Sequence, residues 1–207
     1  MPAPWNDWYH ITANTYGTWL RGDPRGWRER HHRDHVEGDY KRRPKPGTGI
    51  DELSQSKGSM KRYEVRLNKQ LQLIALVGIV TTLLNDGIEV LVVCLDDHHL
   101  HILARFRDRQ PRKRLGWAKF YATKAVKRFI EIEKLKTHGS AVGFDLNLKV
   151  GEGLWAKRGK ELPIADRQHQ LNVVKYIADH GSRGAVIYLH PNAERWLREQ
   201  KKKNRRD

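Results

Sequence analysis

The stretch from Ile88 to Phe106, IEVLVVCLDDHHLHILARF, constrains the fold more than any other part of the chain. Its first half, Ile88 to Leu95, is almost wholly apolar and β-branched, the composition of a buried strand. Asp96-Asp97 supplies turn chemistry, and a second strand opens with histidines. Strand side chains alternate between faces, so His99, His101 and Leu103 share one face and Leu100 and Ile102 the other. Two imidazoles on one face, about 7 Å apart at the Cα atoms, can converge on one metal ion. The apolar residue between them anchors the strand in a core. A plainer reading stands beside this one, because a His-x-His pair arises easily by chance in a chain with 11 histidines.

Length and charge set the remaining bounds. At 207 residues the chain suits one domain with one core, expected over about 8–189, with room for long loops. A formal net charge of +16 points to nucleic acid first and an anionic membrane surface second. No run of 18 apolar residues predicts a transmembrane helix, and MPAPWNDWYH lacks the pattern of a secretory signal. The single Cys94 sits inside the apolar strand, as a small core residue of a reducing compartment would.

In chain order, Trp8 to Leu20 predicts a first strand, with His10, Thr12 and Asn14 on one face. Arg21 to Ser59 reads as a long basic loop, in which His31, His32 and His35 are solvated, DNA-facing side chains or a second metal site. Lys61 to Asn85 predicts a helix, apolar nearly all round in its second half and therefore buried. Arg112 to Lys136 predicts another. One side carries Leu115, Ala118, Ala122 and Phe129; the other carries Lys113, Arg114, Lys119, Lys124, Lys127 and Arg128, a charged face that is either solvated or set against phosphates. Phe144, Leu146 and Leu148, then Leu154-Trp155 and Leu162, suggest one or two strands. Asp166 is an expected N-cap of a helix running to about His180, followed by a short strand at Ala185 to Leu189 and a Lys/Arg-dense, frayed helical tail from Glu194. This order predicts an α+β sandwich, an antiparallel sheet with helices packed on one face.

The helix DRQHQLNVVKYIADHG places Tyr176 and His180 four apart, neighbours beside an apolar stripe of Leu171, Val174 and Ile177. Alone, that is also what an amphipathic helix with a half-buried Tyr and a C-terminal His looks like. Together with His99-Leu100-His101, it resembles the HUH single-tyrosine transposases, the small insertion-sequence and REP-associated enzymes. The resemblance spans Trp8 to Leu189 and includes the Gly-rich segment TYGTWLRGDPRG from Thr15 to Gly26. It implies a ferredoxin-like HUH nuclease fold, His99 and His101 as metal ligands, and Tyr176 as nucleophile. His180 stands where relatives place a third ligand, often glutamine. Where many REP-associated members follow the tyrosine with Asn-Pro, this chain has Ala178-Asp179-His180-Gly181.

The resemblance further implies Mg²⁺ or Mn²⁺, single-stranded or hairpin DNA, a bacterial cytoplasmic, nucleoid-associated setting and, in some members, a homodimer. Three imidazoles would also suit Zn²⁺. Arg21 and Arg25 in the basic loop, the basic helix face and the tail are expected to track the DNA backbone. Trp5, Trp8, Trp19 and Trp27 are either stacking platforms or core residues. The implied activity is metal-dependent nicking and rejoining through a 5′-phosphotyrosine. Two rivals use the same residues: a nucleic-acid-binding protein without catalysis, and a metal-dependent hydrolase without a covalent intermediate.

Overall fold

A computed structural model describes residues 4–27, 35, 36, 42, 44–136 and 152–203. Five strands form one sheet: β1 (Trp8–Thr15), β2 (Glu89–Leu95), β3 (His99–Arg105), β4 (Trp155–Pro163) and β5 (Val186–Leu189). They lie in the order β4-β1-β3-β2-β5, and every neighbouring pair is antiparallel. Five α-helices accompany the sheet among the described residues: α1 (Ile50–Gly58), α2 (Lys69–Asn85), α3 (Pro111–Lys136), α4 (Arg167–Asp179) and α5 (Pro191–Lys203). The protein is thus α+β, with helices packed on an antiparallel sheet.

The pleat sorts the strand residues into two cores. Ile11, Ala13, Val93, Leu95, Leu100, Ile102 and Ala104 face the long helices, against Leu71, Ala75, Ile79 and Leu83 of α2 and Leu115, Ala118, Ala122 and Val126 of α3. Each Val, Leu or Ile among them contributes about 1.5–3 kcal/mol when taken from water. The opposite face is covered in part by α4 and α5. Trp8, Val92, Cys94 and Leu103 meet Val173, Val174 and Ile177 of α4 and Ala193 of α5 there. His10, Thr12, Asn14, His99 and His101 belong to this second face. Register follows: Thr12, His101, Cys94 and Ile187 form one cross-strand row, and Asn14 pairs with His99.

Several boundaries differ from the sequence expectations. β1 stops at Thr15, because the chain turns at Gly17 with φ 76°. The expected loop of residues 21–59 contains α1, a helix with no buried residue. The helix expected from Lys61 starts only at Lys69, where the Asn68 side chain caps it by accepting from the Leu71 N–H at 3.0 Å. Residues 61–68 are not helical: the Val65 N–H donates to Tyr16 O at 2.9 Å and the Leu67 N–H to Asp97 O at 2.7 Å. Nor is α2 buried all round, since Leu73 and Val77 are 53% and 52% exposed. They line a groove with Thr81 and Tyr121. Phe144, Leu146 and Leu148 lie outside the described residues, as do His31 and His32. Among the described residues, no helix is long and apolar enough to cross a membrane.

Candidate functional site

The site grows from the β2–β3 turn. Asp96 Oδ1 accepts from the backbone N–H groups of His98 and His99, which closes the turn and starts β3 at His99. Alternation then puts His99 and His101 on the α4 face, with ring centroids 4.3 Å apart. From above, α4 arrives with its N-terminus capped by Asp166, which accepts from the His169 N–H at 2.7 Å. Val173, Val174 and Ile177 bury one side of α4. Tyr176 therefore falls at the edge of the packed stripe, 47% exposed, while His180, one turn on, is only 9% exposed.

These placements gather the four residues singled out for chemistry. The Tyr176 ring stands edge-on to His101 at 5.3 Å and to His180 at 5.1 Å, and the rings of His101 and His180 are 4.8 Å apart. A fifth ring, His10 of β1, joins them. Its Nε2 lies 2.9 Å from His101 Nδ1, and its ring is 6.1 Å from Tyr176. Sequence reading put His10 on a face with Thr12 and Asn14 but had no signal for its pairing. The partner became visible only once β1 and β3 were in register.

Burial keeps the cluster uncharged. Desolvation, with repulsion between neighbouring imidazoles, lowers His10 and His99 to about 4 and His101 to about 2. Desolvation and Arg183 lower His180 as well. A neutral imidazole is the form that binds metal. Two buried nitrogens here, His101 Nε2 and His180 Nε2, have no hydrogen-bond partner. Buried polar atoms are almost always satisfied, so this pair of bare nitrogens fits a site that a cation completes. The donors are not drawn in as closely as a bound ion requires. Among the described residues, only Asp96, Asp97 and His98 bring three donor atoms within 4.8 Å, and this group could in principle hold a metal ion. Its atoms already have partners: Asp97 pairs with Arg66 at 2.7 Å and with His98 at 2.5 Å. Uniting His99, His101 and His180 on one ion takes side-chain rotation.

The basic residues divide. Arg25, ion-paired with Asp23 through Nε at 2.8 Å, reaches the turn that carries the histidines, with its Nη1 3.0 Å from His98 Nε2. Arg21, in the same loop, pairs with Glu52 at 3.4 Å. Lys113, Arg114, Lys119, Lys124, Lys127 and Arg128 ride on α3, across the sheet from the histidines, so the structure does not bring them to the site. Lys119 is no surface cation: desolvation pushes it down to about 8, and its Nζ donates to Ala156 O at 2.7 Å. Arg114 pairs with Asp86 and Asp108. Trp8 is a core residue, whereas Trp19 is 41% exposed with Arg25 over its ring. No protein-family model and no curated protein matches this chain.

Proposed function

We propose that this protein is a single-tyrosine strand transferase of the HUH type, which nicks and rejoins single-stranded DNA. One observation carries the reading: a half-exposed tyrosine stands over buried, neutral histidines, two of which present unpartnered nitrogens. A phenol at the edge of the core can reach a phosphodiester that a buried residue could not. His99, His101 and His180 would hold a divalent ion. When bound, it would polarise a non-bridging phosphate oxygen and offset charge in the transition state.

Tyr176 Oη attacks the scissile phosphorus and the bond to the 3′-oxygen breaks. The 5′-phosphate stays on the tyrosine; the phenolic proton passes to solvent and the 3′-oxygen leaves as a hydroxyl after taking one up. Attack on the phosphotyrosine by a 3′-hydroxyl reverses the sequence and joins strands without water. A protonated phenol is a weak nucleophile, so the tyrosine needs activation. Arg25 beside the turn is ion-paired with Asp23 and covers one face of the exposed Trp19, whose other face would serve a base of the strand as a stacking surface.

Cleavage of end-labelled hairpin oligonucleotides by the wild type and by Tyr176→Phe, in Mn²⁺ or in EDTA, tests the reading. The expected result is metal-dependent cleavage that falls at least about 1,000-fold in the variant, as loss of a nucleophile requires. Cleavage that survives Tyr176→Phe would indicate hydrolysis at the histidines. Tight DNA binding with no cleavage by either protein would indicate a binding module.

A further inference from the structure

His10 has no role in the chemistry above, yet it is nearly buried and in contact with a proposed metal ligand. It pairs with Leu103 in the β1–β3 register, while His101 pairs with Thr12. The two histidines are therefore diagonal neighbours on one face, within reach of each other. Their rings lie 5.2 Å apart and 21° from parallel, with His10 Nε2 2.9 Å from His101 Nδ1. Two nitrogens at that distance share one proton, and a neutral imidazole carries only one.

The surroundings of His101 decide where that proton sits. His101 Nε2 is buried and has no partner. A proton on Nε2 would make a buried N–H with no acceptor and would remove the donor that faces His10. A proton on Nδ1 makes the hydrogen bond to His10 and leaves Nε2 as a bare lone pair. We propose that His10 is a positioning residue: its Nε2 accepts from His101 Nδ1, which fixes His101 in the tautomer whose Nε2 can ligate a divalent cation. The second half rests on the reading of His101 as a ligand; the first half does not. Metal-ligating histidines commonly donate their other N–H in this way, and loss of the acceptor costs roughly 10–100-fold in metal affinity.

Two measurements separate the halves. In the metal-free wild type above pH 7.5, two-bond ¹H–¹⁵N correlation spectra are expected to give His101 as the Nδ1–H tautomer. A His101 protonated on Nε2 would overturn the proposal with no variant made. Co²⁺ titration followed by visible absorption then compares the wild type with His10→Leu and His10→Gln. His10→Leu, which removes the acceptor, is expected to bind Co²⁺ roughly 10–100-fold more weakly. His10→Gln, whose side-chain carbonyl can accept the same proton, is expected to recover most of that loss, which a merely space-filling role for His10 does not predict. Equal affinity in His10→Leu and the wild type would overturn the positioning role. A wild type that binds no Co²⁺ but shows the Nδ1–H tautomer would leave the hydrogen bond standing and refute His101 as a ligand.

Discussion

The buried histidines make the metal-free protein sensitive to mild acid, and the size of the effect follows from their surroundings. His10 and His99 are lowered from 6.5 to about 4 in the folded chain, chiefly by desolvation. Their folded values lie below their unfolded ones. Between pH 6.5 and 4, then, the unfolded chain binds protons that the folded chain refuses, and stability falls with falling pH. Above about pH 6.5 both states are neutral at these positions and the contribution is flat. Each pKa unit is worth 1.36 kcal/mol, so one imidazole costs about 3 kcal/mol across the window. With His101 lowered further still, three acting independently would cost about 8 kcal/mol at pH 4.5, an upper figure because an opening site admits water. That is comparable to the whole stability of a marginal domain. Urea unfolding followed by tryptophan fluorescence, in EDTA at half-unit steps from pH 7.5 to 5, should give a flat region and then a fall approaching about 4 kcal/mol per pH unit. Carboxylates contribute mostly below that range. A flat profile down to pH 5 would refute the picture of a buried, neutral cluster.

Other outcomes follow from the same geometry. Mn²⁺ or Zn²⁺ at 100 times its dissociation constant should stabilise the protein at pH 7.5 by about 2.7 kcal/mol, and His101→Ala should remove that gain in urea melts. A Cβ at Gly159 would lie 2.7 Å from Thr12 O, so Gly159→Ala should strain the β1–β4 pairing and cost about 1–3 kcal/mol by chemical denaturation. Ile102 is fully buried between β1, β2 and the long helices, and Ile102→Ala should cost about 2–5 kcal/mol. For DNA cleavage, neutralising Lys124, Lys127 and Arg128 on the far side of the sheet should change the rate less than Arg25→Ala does, with cleavage at fixed salt as the readout.

Much of this was legible where one residue pattern allowed one structure. The apolar run before Asp96-Asp97 and the alternation after it could only be a hairpin, and the register of His99 with His101 came with it. The capping aspartate and 3.6-residue stripe fixed α4, and with it the placement of Tyr176 one turn before His180. Residues 61–68 misled because Lys, Arg and Glu favour helix, although Val65 and Leu67 already alternate with exposed Glu64 and Arg66 in the period of extended chain. α1 left no signal because it buries nothing. The basic face of α3 was evident in sign, but not the side of the sheet it would occupy, which depends on tertiary packing. His10 stayed hidden for a related reason. A single strand residue acquires a partner only from the sheet register, and no spacing within β1 indicates His101.

The proposed function turns on whether DNA becomes covalently attached to one side chain. Incubation with hairpin oligonucleotides carrying a label on the 3′ fragment, in Mn²⁺ and in EDTA, followed by denaturing gels and peptide mass mapping, gives the answer directly. A metal-dependent adduct, joined through the 5′-phosphate, is expected on the peptide containing Tyr176 and is expected to be absent from Tyr176→Phe. Cleavage with no adduct, or an adduct on another residue, would contradict the proposed function.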